Sequence, residues 1–205
     1  MKDGPTKSKV ASRWNVRLLD STEAASLAEF AIALPLLVVL VVGIFDFGGA
    51  FNMKQELNNA AREGARFGAT QPTNDLAYPA NNPAPPSVDA IRYVVDAYLQ
   101  QANINDCGLG ALSPAPASGS FQQWIYTANG CGALPLQLTI ERDFPEGSQA
   151  LGCYAGTQNV YLLCTQVIIN YPYQWRFSSV IQLLIPGAQG WNTNIQTQAT
   201  AVNAD

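Results

Sequence analysis

The sequence of 205 residues contains no histidine. Without histidine, neither the Ser-His-Asp nor the Cys-His arrangement of nucleophilic enzymes can form, and every histidine-containing metal site is excluded. No other group of side chains in the sequence is typical of catalysis. We therefore expect a protein that is not an enzyme and that needs no metal or cofactor.

Charged residues are also scarce, at 13% of the chain, and the two signs are separated along it. Five basic residues lie close to the N-terminus: Lys2, Lys7, Lys9, Arg13 and Arg17. Beyond residue 67 there are three arginines against eight acidic residues, a net charge of −5. A surface of that sign repels a phosphate backbone, so we expect no nucleic acid among the partners.

One stretch of sixteen residues, 30–45, carries no charge, and the carboxylate of Glu29 lies at its leading edge. Continued to residue 51, the stretch is interrupted only by Asp46. Its twenty-two residues make roughly 33 Å of helix, enough to cross the roughly 30 Å hydrocarbon core of a bilayer. Residues 30–51 are therefore predicted to be a transmembrane segment in a lipid bilayer. An acid at the edge of such a segment is a functional candidate.

The basic N-terminal flank sets the expected orientation. Five Lys/Arg residues precede the segment, whereas only Lys54, Arg62 and Arg66 follow it closely. This asymmetry favours a single pass through the inner (cytoplasmic) membrane, with the N-terminus in the cytoplasm and the C-terminal domain outside. A cleaved secretory signal is disfavoured, because the apolar region of such a signal is only about 7–15 residues long. In this chain the apolar segment is longer, and a helical pattern continues beyond it. Cleavage before the apolar segment stays open.

Four cysteines, Cys107, Cys131, Cys153 and Cys164, all lie beyond the apolar segment. An even count without a Cys-x-x-Cys pair is typical of disulfides in an exported domain rather than of a metal or redox site. Three pairings can form. Proximity in sequence favours Cys107 with Cys131 and Cys153 with Cys164.

Small residues recur at a spacing of four in the region that follows the apolar segment. Ala60, Gly64 and Gly68 form one row, and a parallel row of alanines lies beside it at 61, 65 and 69. Such rows let another backbone approach closely. The partner is either a helix of another subunit or the protein's own domain, and the sequence does not decide between them.

The rest of the chain is predicted to form an α+β domain. A long N-terminal helix at 25–70 is followed by a proline-rich linker at 71–86 and a domain at 87–205, because no helix survives the density of prolines in the linker. Within the domain, Ser87 is expected to cap a second helix at 88–102.

About three antiparallel strands are expected after this helix, on the basis of alternating or β-rich segments at 136–141, 159–171 and 193–202. Pro172 is expected to end the second of them. A short extended piece at 122–127 is also compatible with the sequence. The aromatic run at 171–175, Tyr-Pro-Tyr-Gln-Trp, favours packing over a binding platform.

Three segments in this order carry a resemblance to a known family: ASLAEFAIALPLL at 25–37, GIFDFGGAF at 43–51 and LNNAAREGAR at 57–66. Together they resemble TadE-like proteins, the pilin-like minor components of the tight-adherence (Flp) pilus system. The resemblance covers about residues 24–68, roughly a fifth of the chain. It implies a pilin-like fold and a structural role beside other pilin or pseudopilin subunits and the pilus assembly platform.

The resemblance also implies a prepilin, whose basic leader at 1–24 is removed by a prepilin peptidase. In the family the acid is the fifth mature residue, so Glu29 places the cut between Ala24 and Ala25. Ala24 stands where the family commonly has glycine. Cleavage would create an α-amine at Ala25.

In such an assembly, Glu29 is expected to form a contact between subunits. Its carboxylate can pair with the Ala25 α-amine of a neighbouring subunit, and in low dielectric that contact fixes the register between apolar helices. The alternative is an unpartnered carboxylate in the headgroup region. Pro35 removes one backbone hydrogen bond and can kink or locally melt the helix during packing. Asp46 and Glu63 are expected to be screened by water at the outer membrane edge.

Two functions of different classes follow. The first is a structural minor pilin that is held in the membrane and enters or primes a pilus. The second is a signal-anchored extracytoplasmic binding domain that does not assemble into a filament. The state of the mature N-terminus separates them, because an anchored receptor keeps residues 1–24.

Overall fold

The computed structural model describes residues 22–76, 83–114, 123–132, 134–142, 163–175, 177 and 192–203. Its regular elements are listed in chain order as α1 (Thr22–Ala69), α2 (Pro86–Gln101), a 3₁₀ turn (Leu109–Ala111), β1 (Gln123–Ala128), β2 (Leu136–Arg142), β3 (Cys164–Gln174) and β4 (Asn192–Val202). The chain divides into two compact units, Met1–Phe45 and Asp46–Asp205. Helix α1 contributes residues to both.

In the first unit, the described residues are helical throughout, on both sides of Pro35. The large apolar side chains of this segment, among them Leu27, Phe30, Ile32 and Leu36, are exposed. Within the described chain, one helix is long and apolar enough to cross a membrane, and none of its most apolar window is buried. A core helix of a soluble protein would be buried, so the exposure favours a lipid-facing segment.

The second unit contains a four-stranded antiparallel sheet in the order β1-β2-β3-β4. The predicted α+β class is confirmed, and the extended piece at 122–127 is the edge strand β1, so the sheet has four strands rather than three. Pro172 does not end its strand, because β3 continues to Gln174. At Pro172 β3 has passed Asn170, the last residue of its register with β2, and pairs with β4 alone. A proline at such a one-sided position need not interrupt a second ladder.

The predicted second helix is confirmed as α2, but Ser87 is not its N-cap. Pro85 occupies the cap in an extended conformation and Pro86 is the first helical residue. Proline is favoured at that first position because its missing N–H would have no partner in the helix and its φ is already helical. Ser87 instead lies inside the first turn and its side chain is free to bond elsewhere.

Helix α1 lies antiparallel along β3 on the inner face of the sheet. A Cβ added to Gly68 would come within 2.5 Å of the Thr165 side chain, and one added to Gly64 within 3.5 Å of Val167. Towards the start of this unit, the Tyr173 hydroxyl bonds to the Asp46 carbonyl oxygen at 3.3 Å. The same face of the sheet carries the apolar side chains of the core, including Trp124, Tyr126, Leu138, Ile140 and Ile169.

The rows of small residues seat α1 on its own domain. Ala60, Ala61 and Ala65 are buried in the core. A Cβ on Gly64 would lie 2.7 Å from Val95 of α2, and a Cβ on Gly68 would lie 2.7 Å from Ile91. Of the two alternatives left open by the sequence, the structure therefore shows the intramolecular one.

The predicted pairing of Cys107 with Cys131 is confirmed, with their Cα atoms 4.8 Å apart. This bond joins the segment after α2 to the segment after β1, and the Gly130 N–H donates to the Cys107 carbonyl oxygen beside it. Cys164 is also disulfide-bonded. Cys153 lies outside the described residues, so its pairing with Cys164 stays a prediction.

Substituting Gly68 with alanine tests the close approach of α1 to the sheet. In an open helix this change stabilises by about 1 kcal/mol, but here the new methyl group collides with branched side chains, and overpacking costs about 1–3 kcal/mol. We expect a net loss of about 1 kcal/mol for Gly68→Ala, by urea unfolding of the full chain in detergent. Gly48→Ala is the matched control, because its Cβ would meet nothing within 4 Å. Equal stabilisation by both changes would contradict the packing.

Candidate functional site

The N-terminal part of α1 presents the residues that the sequence singled out for assembly. The helix begins at Thr22, so Ala24 and Ala25 lie in its first turn. The side chain of Glu29 is exposed. Among the described residues it has no hydrogen bond or ion pair. The carboxylate is therefore available to a group on another molecule.

Asp46 differs from the expectation that water screens it, because its residue is only 5% exposed. The backbone N–H of Phe177 donates to its Oδ2 atom at 3.4 Å. Glu63, by contrast, is exposed as predicted. A carboxylate just after a long apolar run costs free energy unless hydrogen bonds satisfy it. Phe177, in the segment that follows β3, supplies such a bond.

The aromatic run at 171–175, most of which lies in β3, packs as predicted at two of its three rings. Tyr171 and Tyr173 are buried. Both follow the alternation of β3 and point to the inner face, where the Tyr171 hydroxyl donates to the Asn105 carbonyl oxygen at 3.1 Å. Trp175 is only partly buried. Part of its surface is therefore left for another contact.

Arg142 holds the C-terminal end of α1, a role that our sequence reasoning missed. It is completely buried. Its guanidinium donates to three backbone carbonyl oxygens at the end of the helix and just after it, those of Gly68 at 3.1 Å, Gln71 at 3.0 Å and Pro72 at 3.2 Å. The last carbonyls of a helix lack partners within the helix, so these bonds satisfy them.

Ser87 connects this arginine to a carboxylate. Arg142 donates to the Ser87 hydroxyl oxygen at 2.6 Å, and that hydroxyl donates to Asp75 at 2.9 Å. The Ser87 backbone N–H donates to the other oxygen of Asp75. The start of α2, the end of α1 and β2 thus meet in one polar network. The sequence did carry a signal for it, since Arg142 continues the inward alternation of Leu138 and Ile140.

Substituting Arg142 with methionine tests this network. Methionine fills a similar volume but leaves buried carbonyl oxygens without donors, each costing about 1–3 kcal/mol. We expect Arg142→Met to lower the free energy of unfolding by about 3 kcal/mol or more, measured by urea denaturation. Arg62→Met is the control, because Arg62 lies on the exposed side of α1. A loss no larger than that of the control would contradict the assignment.

Two carboxyl groups lie close together beside the loop that carries the disulfide. Burial raises the pKa of Asp96 above its ordinary value, and the hydrogen bond and negative charge of Asp106 raise it further. The hydrogen bond from Gln100 and the charge of Arg92 oppose the rise. Arg92 itself is buried and donates to the Leu109 and Gly110 carbonyl oxygens.

The raised pKa of Asp96 predicts a pH dependence of stability. Between the unfolded and folded pKa values the native state binds more protons than the unfolded one, so stability falls as pH rises through that window. Asp96→Asn removes the titrating group and, with it, this fall in stability. We expect its stability relative to the natural chain to increase from acidic to neutral pH, in urea unfolding at a series of pH values. A difference that does not change with pH, or that changes in the opposite direction, would refute this.

Comparison with known proteins agrees with the resemblance seen in the sequence. The family model described as TadE-like protein matches residues 24–66. The match covers about a fifth of the chain and contains Ala24, Ala25, Glu29 and most of the small-residue rows. No curated protein and no solved structure matches the chain.

Proposed function

We propose that this chain is a minor pilin of the tight-adherence type, which is inserted in the membrane through α1 and enters or primes a pilus. The observation that carries the proposal is the exposed apolar segment of α1, with the unpartnered Glu29 at its edge, inside the part of the chain that matches TadE-like proteins. That family is structural, which supports a role without catalysis.

The burial pattern along α1 supports this division of roles. From residue 57 onwards, its small residues pack against α2 and β3. Those residues are not available to a second subunit. The residues at 25–45 carry most of the exposed large apolar side chains. Contacts with neighbouring subunits, and most of the contacts with lipid, are therefore assigned to 25–45.

The charge at the edge of this segment gives the assembly its register. Apolar helices can slide past one another with little change in free energy, whereas a desolvated ion pair has one favourable position. In the proposed mechanism, a prepilin peptidase removes residues 1–24 on the cytoplasmic side, and the new α-amine of Ala25 pairs with Glu29 of a neighbour. The domain at 46–205 then faces the outside of the inner membrane.

Processing is tested by the mass of the mature protein. We expect protein recovered from membranes of cells that contain the prepilin peptidase to begin at Ala25. The basic leader and the distance from the cut to Glu29 are the reasons. An intact leader from Met1 to Ala24, found by mass spectrometry, would favour the anchored binding domain instead.

Assembly is tested by Glu29→Gln, which keeps the size of the side chain and removes its charge. Insertion should be unchanged, because the apolar segment is untouched. Association should fall by about a hundredfold or more, since removing one partner of a desolvated pair costs about 3–5 kcal/mol. The measurement is co-purification with other pilus components, together with counts of pili.

Glu63→Gln is the matched control, since Glu63 is an exposed glutamate on the same helix. It should assemble like the natural chain. If Glu29→Gln is cleaved normally and still assembles as well as this control, Glu29 is not the register contact. The anchored-domain function would then be the better one.

A further inference from the structure

An aromatic cluster lies at the start of the second unit, two residues after the last residue of the first in chain order. The ring of Phe47 meets Trp175 edge to face, with centroids 5.3 Å apart. Trp175 meets Tyr173 in the same way at 5.2 Å. Edge-to-face pairs of this kind hold rings in fixed orientations. We call Phe47, Tyr173 and Trp175 the aromatic collar.

The outer side of the aromatic collar is apolar and open. Phe47 is 68% exposed, and Phe51, one helical turn further on, is 65% exposed. Such exposure of large rings is unusual unless something covers them. Lys54 follows at the next turn on the same helical face and is also exposed.

The polar groups of the collar are hydrogen-bonded within the domain. The indole N–H of Trp175 donates to the Thr193 hydroxyl oxygen at 3.0 Å. The Tyr173 hydroxyl donates to the Asp46 carbonyl oxygen. Gly49 permits that approach, because a Cβ there would lie only 3.2 Å from the hydroxyl. Asp46, which precedes Phe47 in sequence, is buried.

We propose that the aromatic collar lies at the membrane–water interface on the domain side of the bilayer, where Phe47 and Trp175 contact the lipid headgroup and glycerol region. Tryptophan and tyrosine are enriched at this level because their rings are apolar on one side and donate hydrogen bonds on the other. The collar thereby fixes the depth of the domain at the lipid surface.

Three observations favour a lipid surface over a second protein as the occupant. Phe47 follows the apolar segment of α1 by two residues in sequence, so a helix that enters the bilayer through that segment has the collar near the end of its hydrocarbon-spanning part. Lys54 lies where a long basic side chain can reach lipid phosphates. Asp46, the carboxylate next to the collar in sequence, is buried, so it does not present to a lipid layer a charge that an anionic or apolar surface would reject.

The inference depends on membrane insertion of α1 and not on pilus assembly. The full-length chain is reconstituted in vesicles of phosphatidylcholine and phosphatidylglycerol, and insertion is first checked by flotation. The emission of Trp175 is obtained as the difference between the natural chain and Trp175→Phe, because the remaining tryptophans are common to both. Near-UV circular dichroism confirms that the variant is folded.

Quenching is then compared for lipids that carry a nitroxide near the headgroup, lipids that carry one at the chain terminus, and iodide on both sides of the bilayer. We expect the headgroup-proximal nitroxide to quench Trp175 roughly twofold more than the chain-terminal one, with little quenching by iodide. Tyr93, a 53% exposed residue on α2, provides the control. Tyr93→Trp, measured against the natural chain, should be quenched by iodide and by neither lipid.

The remaining outcomes overturn the inference. Quenching by iodide without quenching by lipid places Trp175 in water. Stronger quenching by the chain-terminal nitroxide places it in the hydrocarbon core. Protection from all three quenchers shows that a protein neighbour covers it. A chain that does not float with the vesicles overturns membrane insertion itself, and with it the proposed function.

Discussion

The close approach of α1 to β3 and α2 is the contact on which the rest of the second unit depends. Gly64 and Gly68 have no side chains, so Val95, Ile91 and Thr165 can occupy the space beside the helix backbone. Glycines in a helix each cost about 1 kcal/mol, and burial of the surrounding core offsets this cost. The same approach brings the C-terminal end of α1 close to Arg142. Its buried guanidinium can then donate to the Gly68 carbonyl oxygen.

This contact determines which part of α1 is left for other molecules. A row of glycines and alanines spaced by four is a common device for joining two helices, but here both sides of the contact belong to one chain. In the proposed function, neighbouring subunits contact the apolar segment with Glu29 at its edge. The proposed assembly therefore depends on one exposed carboxylate and on exposed apolar side chains, and not on the small-residue rows.

The sequence predicted most of the fold because its patterns were local. The apolar run predicted the helix, alternation predicted β2 and β4, and proximity in sequence predicted the pairing of Cys107 with Cys131. Features that depend on distant residues were missed. Arg142 was not recognised as a helix cap because its acceptors lie some seventy positions earlier in the chain. The burial of Asp46 was missed because its hydrogen-bond donor, the N–H of Phe177, lies 131 positions later in the chain. The contact proposed for Glu29 lies between chains and stays a prediction.

In our account, one part of α1 contacts lipid and other subunits, and the other part packs on its own domain. This division is tested most directly by incorporating photo-leucine into the chain in cells that assemble the pilus. After irradiation, cross-links are mapped by mass spectrometry. Leu57, which is completely buried, should cross-link only within its own chain. The exposed Leu27, Leu34 and Leu37 should cross-link to lipid or to other subunits. Cross-links from Leu57 to another chain, or none from the exposed leucines beyond their own chain, would contradict the account.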